Sequence, residues 1–240
     1  MKFVFAALLL VAATPAAGGQ AGINLFWHDC SETGSTLQAF ACNTNAGYQV
    51  LYVSLVPPQD LPQLGGVEVM LRMRVSAPAL PDWWLTGAGQ CRQDAITCSF
   101  DPAENFSSCA DIWQGTPNVS VFLAAPGEFW PNSLVLRGTA WVPSGSELNV
   151  VADGTELQVC RFVIQRAKST GVNSCTGCEL EACLALIECR LYQPEGVGNV
   201  TLTDPAVSNW VVWQGDASLP CPLSVPTLNR SWGAVKGMYR

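Results

Sequence analysis

The chain has 240 residues, of which 49% are hydrophobic and 13% charged, with a formal charge of −7. A charged share about half the usual one, an acidic balance and the lack of any Lys/Arg cluster exclude nucleic acid and anionic membrane surfaces as partners. Eleven cysteines beside a single histidine, His28, point to disulfides in an oxidising compartment and leave little room for histidine-based chemistry.

In chain order, Met1 and Lys2 precede an apolar run from Phe3 to Ala13. The run has the length of a signal-peptide core and is too short for a bilayer span of about 20 residues. Gly19-Gln20-Ala21 fits a small-x-small cleavage site, which predicts an export signal over 1–21 and a mature start near Gly22. Loss of Lys2 moves the charge from −7 to −8. No later stretch is apolar enough for a transmembrane anchor, so the expected location is secreted, periplasmic or cell-surface.

Tyr48 to Val56 is apolar on both faces and reads as a central strand. Val67 to Val75 alternates with period two: Val67, Val69, Leu71, Met73 and Val75 on one face, Glu68, Met70, Arg72 and Arg74 on the other. Asp101 and Pro102 open a predicted short helix over Ala103 to Trp113. Val119–Ala124, Leu134–Val142 and Leu157–Arg166 are further strands, and the apolar phase slips between Val159 and Cys160, as a β-bulge would make it. Ala182 to Tyr192 alternates with Ala185, Ile187, Cys189 and Leu191 on one side. Val200–Leu202 and Trp210–Trp213 are short strands. Turn signals such as Pro57-Pro58, Gly65-Gly66 and Pro126-Gly127 separate the runs. The expected fold is all-β: one antiparallel β-sandwich over 22–219 with at most one or two short helices. A disulfide-stapled, loop-rich insertion is expected over 76–116, and a Pro-rich tail over 220–240, ordered if Trp232 docks.

The disulfide candidates are Cys30, Cys42, Cys91, Cys98, Cys109, Cys175, Cys178, Cys183, Cys189 and Cys221. Cys160, inside an apolar strand, is the expected free thiol, acting as a small hydrophobe. Sequence proximity favours a Cys30–Cys42 bridge and pairs Cys109 with Cys91 or Cys98; the rest of the connectivity stays open. Cys175, Cys178, Cys183 and Cys189 have spacing compatible with a four-thiolate zinc site, against which export favours disulfides. No metal and no cofactor are assigned.

Several segments together resemble a group of uncharacterised secreted bacterial proteins. They are Asn24-Leu25-x-Trp27-x-Asp29-Cys30, Phe40-Ala41-Cys42-Asn43-Thr44-Asn45, Pro81-Asp82-Trp83-Trp84, Cys175-x-Gly177-Cys178 and the terminal Trp232-Gly233-x-x-Lys236-x-x-Tyr239-Arg240. The resemblance implies export and bacterial origin, without an activity. The strand pattern around Val67–Val75 and Gly154–Ile164 is also similar to cohesin-type or carbohydrate-binding jelly rolls, a fold analogy.

His28 beside Asp29 and Cys30 is the one possible imidazole base, but Cys30 is better placed as a bridged sulfur than as a nucleophile. Asp82, Asp94, Asp101, Glu104 and Asp111 offer carboxylate pairs of the kind a glycosidase uses, against the ordinary role of solvated surface. Trp83, Trp84 and Trp113 are the weak ligand-binding candidates, because neighbouring indoles in an extended loop cannot both face one core, which leaves one to stack on a sugar or a partner, against the alternative that both cap the sandwich edge. The expected function is a non-catalytic binding or structural module, its partner a glycan or an extracellular protein. The alternatives are a carbohydrate-binding module using exposed tryptophan and an extracellular hydrolase using loop carboxylates.

Overall fold

A computed structural model of the chain describes residues 20–104, 106–215 and 221. The export segment up to residue 19 and the tail with Trp232 lie outside the described residues. Among the described residues, fourteen strands carry the fold: β1 (Gly22–Trp27), β2 (Leu37–Gln38), β3 (Tyr48–Val56), β4 (Leu61–Leu64), β5 (Gly66–Val75), β6 (Ile96–Ser99), β7 (Ala110–Asp111), β8 (Val119–Pro126), β9 (Ser133–Trp141), β10 (Leu148–Val150), β11 (Leu157–Gln165), β12 (Ala182–Tyr192), β13 (Val200–Leu202) and β14 (Trp210–Trp213).

Two sheets stack into an all-β sandwich. The smaller runs β1-β3-β11-β6, with β7 pairing β11. The larger runs β2-β14-β12-β5-β9-β8, with β13 pairing β12, and β4 and β10 form a separate ribbon. The core lies between the sheets because each strand sends alternate residues inward. Leu51, Val53 and Leu55 of β3 meet Val67, Val69, Leu71 and Met73 of β5, all fully buried. Phe122 of β8 meets Phe162 of β11 edge to face, 5.9 Å between ring centres. Gly138 of β9 carries no side chain because Cys98 and Phe100 fill its space: a Cβ there would stand 2.9 Å from Cys98 Sγ.

The expected bulge exists, with the β11–β3 register shifting between Gln158 and Cys160. A second bulge, between Leu186 and Glu188 on β12, corrects the alternation expected there. Ala185 packs with Cys183 on one side of the sheet, while Cys189 and Leu191 belong to the core on the other; one extra residue, Ile187, reverses the facing. Among the described residues, the helix expected over Ala103–Trp113 is absent. Asp101 does accept the Ala103 N–H at 2.9 Å, but a single 3-10 turn, Pro102–Glu104, follows. The chain is then drawn out by the Cys30–Cys109 bridge and by parallel pairing of β7 with β11. The segment expected as an insertion thus supplies β6 and β7 to the smaller sheet.

Four bridges join distant parts of the chain: Cys30–Cys109, Cys42–Cys178, Cys91–Cys175 and Cys183–Cys221. The local Cys30–Cys42 pairing is therefore corrected, as is the pairing of Cys109 with Cys91 or Cys98. Cys160 is unpaired, but so are Cys98 and Cys189. Burial holds the Cys160 thiol well above its ordinary value, with Cys98 and Cys189 adding in the same direction, and burial raises Cys189 likewise. Cys160 and Cys189 are therefore protonated at neutral pH and act as core groups rather than nucleophiles.

Candidate binding face

Four of the segments that carried the resemblance converge around one side chain, Trp213; the fifth, Trp232 to Arg240, lies outside the described residues. Phe40 lies 4.4 Å from it between ring centres, Trp83 4.9 Å, Trp84 5.4 Å and Trp27 6.0 Å. The Trp213 indole N–H donates to the Cys178 carbonyl at 2.8 Å. Gly177, at φ 105°, lets the chain pass against the Pro81 ring, where a Cβ would collide. Arg92 closes the cluster. It lies 3.5 Å over the Trp83 ring and donates to the carbonyls of Trp83 (2.7 Å), Ala167 (2.9 Å) and Gln165. Burial lowers its guanidinium to about 9, so it is still a cation at neutral pH, held by carbonyl dipoles rather than by an acid.

This knot decides the tryptophan candidates. Trp83 and Trp84 are 0% exposed and Trp113 is 2% exposed, with its indole N–H donating to the Val159 carbonyl at 2.8 Å. The exposure that a stacking role requires is not there; all three are core residues. The carboxylate candidates are likewise engaged locally. Glu104 pairs with Arg161 at 2.8 Å. Asp111 accepts the N–H groups of Trp113 and Gly115, and Asp94 faces Gln93. Asp82 opens the 3-10 turn Asp82–Trp84. His28 sits exposed beside Phe40, and its neighbour Cys30 is bridged, which removes the nucleophile such a pair would need.

The zinc spacing does not bring thiolates together, since Cys175, Cys178 and Cys183 each bond to a different partner. Among the described residues, Cys30, Cys109 and Glu156 do place three ligand-type atoms within 4.8 Å of one another, but two of the three are disulfide sulfurs. Glu156 is a structural hub without any cue in its sequence context. It accepts from Asn24 (2.8 Å), from Ser54 (2.5 Å) and from the hydroxyl and N–H of Ser31, tying the first loop to β3.

Asp29 clasps that loop to the segment bearing Cys109. It accepts from Thr33 (2.5 Å), Cys30 N–H (2.8 Å) and the N–H and hydroxyl of Ser108 (2.6 and 3.0 Å). Burial alone would raise its carboxyl; these hydrogen bonds outweigh that and hold it below the ordinary 3.8. A carboxyl depressed by folding stabilises the fold above its unfolded value, and the gain is lost as pH falls through the folded value. Acid titration of unfolding should therefore show a loss of stability below about pH 4 that Asp29→Asn removes in part. An unchanged acid limb in that variant would contradict the clasp.

What remains for recognition is the outer face of the larger sheet. β8 is its edge strand, paired to β9 alone among the described residues. From Val119 to Gly127 there is no charged residue. Val119, Val121 and Leu123 are 69%, 60% and 56% exposed, and lie opposite Trp141, Thr139 and Arg137 of β9 on one face. Two strands inward, Arg72 and Arg74 of β5 project on the side opposite the buried Leu71 and Met73. The β8–β9 turn lays Phe129 and Trp130 over them. Arg72 stands 4.2 Å from the Phe129 ring centre and 5.4 Å from Trp130, and Arg74 stands 5.3 Å from Trp130. Arg72 is 6% exposed, and its Nε is buried without a hydrogen-bond partner. Burial lowers its guanidinium, opposed by Glu128. That carboxylate is itself paired with Arg137 at 3.0 Å.

No protein-family model matches this chain, and no curated protein matches it. Among solved structures, a cohesin module from the family 33 glycoside hydrolase of Clostridium perfringens ATCC13124 is similar over 82% of this chain and 99% of that one, with 7% identity and a TM-score of 0.33. At that score the class rests on the chain's own sheets: a disulfide-bridged, all-β sandwich. No helix among the described residues is long and apolar enough to cross a membrane.

Proposed function

We propose that the chain is an exported, non-catalytic binding module that docks a partner polypeptide on the outer face of its larger sheet, with β8 as the pairing edge. The supporting observation is β8 itself. Proteins blunt long edge strands with charges, inward lysines, prolines or covering loops, because an open edge recruits other chains. β8 is eight residues long, uncharged and apolar on its exposed face, with a proline only at its far end. Strand addition would supply backbone hydrogen bonds along the edge and side-chain contacts at alternate positions. The four disulfides fit an extracellular setting. The carboxylates and His28 are engaged or separated in the ways described, which supports binding rather than hydrolysis.

The test is a selection of short random peptides on the immobilised full chain with its bridges intact. Selected peptides should bind in extended form, and Val121→Lys should weaken them about tenfold or more by setting a charge in the contact stripe. A selection that returns no peptide sensitive to Val121→Lys would count against this function.

A further inference from the structure

We propose that Arg72 and Arg74 form a carboxylate receptor on this face, so that the docked partner is an acidic segment of a polypeptide, an aspartate or glutamate of which reaches them. The inference rests on the docking face proposed above and specifies the chemistry of its occupant.

Arg72 is more than nine-tenths buried, yet no hydrogen bond or ion pair engages it among the described residues. Its stabilisation comes from the Phe129 and Trp130 rings. Ring stacking satisfies only the faces of a guanidinium. The N–H donors point outward in its plane, where a carboxylate binds with two parallel hydrogen bonds. Arg74, two residues along on the same face, adds a second cation held on the same Trp130 ring. Glu128, the acid whose charge acts on Arg72, is held by Arg137. Among the described residues the patch is cationic and no ion pair engages Arg72 or Arg74.

The same contacts argue against a sugar. The guanidinium groups take one face of Phe129 and of Trp130, and although Phe129 is 47% exposed, a neutral pyranose on its outer face would leave the arginine N–H donors without the anion they fit. A partner strand paired to β8 would lie three strand spacings, about 14 Å, from β5. The acid is therefore carried by the part of the partner that continues across the outer face toward the Phe129–Trp130 turn, while the paired part covers Val121 and Leu123. Buried arginine beside aromatic rings, rimmed by apolar contacts, is also the composition that concentrates binding energy at protein interfaces.

The experiment uses the peptides selected on the full chain. Aspartate or glutamate should be enriched at a fixed position. Replacing that acid by its amide should weaken binding about tenfold. In Arg72→Met, which keeps the apolar stem against Phe129, and in Arg74→Gln, which lies nearer the surface and spares the packing, the acid and amide peptides should bind alike. Arg72→Lys should restore only part of the difference, because an ammonium lacks the planar fork. The inference is overturned if acid and amide peptides bind the wild-type chain equally, or if their difference survives in both Arg72→Met and Arg74→Gln. It is also overturned if an oligouronide displaces the peptide more strongly than an acidic peptide does. Peptides that depend on Val121 but show no acid preference would sink this inference and leave the docking face standing. If no Val121-dependent peptide emerges, both fail.

Discussion

Replacing Cys42 and Cys178 together by alanine should lower the unfolding free energy by about 2–5 kcal/mol. The bridge spans 136 residues, the widest separation of the four, so it constrains the unfolded chain most. It also anchors the aromatic knot. Cys178 supplies the carbonyl that takes the Trp213 indole N–H, and Gln214 reaches from the same strand end to Cys42 and to the Phe40 carbonyl. Denaturant unfolding of the double variant against the wild type reads the effect as a lower midpoint. An unchanged midpoint would mean that the knot holds the two segments without the covalent link.

Trp213→Ala should cost about 3–5 kcal/mol, the usual range for removing a large buried aromatic side chain. Trp213 is fully buried and is the one ring that Trp27, Phe40, Trp83 and Trp84 all touch. Its loss leaves a cavity lined by Trp27 of β1, Phe40 just after β2, and Trp83 and Trp84 of the 3-10 turn, and leaves the Cys178 carbonyl to Gln214 alone. Relaxation is limited because these rings are fixed from three separate segments. Equilibrium unfolding measures the loss; a cost below about 1 kcal/mol would show that the cluster repacks freely. Trp213→Phe should recover part of the stability, keeping ring contacts while losing the indole hydrogen bond.

Much of the sandwich is legible in the alternation of β5 and the two-sided apolar run of β3, because period two is a direct consequence of pleated geometry. The bulge before Cys160 shows as a slip in that period. The bulge at Ile187 does not, since Ala185, Ile187, Cys189 and Leu191 keep an apolar phase through the reversal. The expected helix over Ala103–Trp113 fails for a different reason. Its cap at Asp101 is real, but one local hydrogen bond cannot outweigh a distant bridge and strand pairing. Disulfide partners are set by where loops meet in three dimensions, so sequence proximity pointed Cys30 to Cys42 when each sulfur has a partner far along the chain.

The candidate site was least legible. Trp83 and Trp84 read as loop neighbours of which one is left exposed, yet the loop folds inward and both rings enter the knot. Arg72 and Arg74, by contrast, look like the solvated positions of an alternating strand. Only the turn that brings Phe129 and Trp130 over them changes their environment. The sequence cue, weak on its own, is the Phe129-Trp130 pair placed just after Pro126-Gly127, at the tip of a hairpin that neighbours β5.

The most direct test of the binding role is hydrogen–deuterium exchange of the full chain alone and with a selected peptide bound. Protection should appear along β8 and at the Phe129–Trp130 turn, with little change in β1, β3 and β11 of the smaller sheet. Protection confined to the smaller sheet or to the loops around His28 and Asp111, with β8 exchanging as in the free chain, would contradict the account.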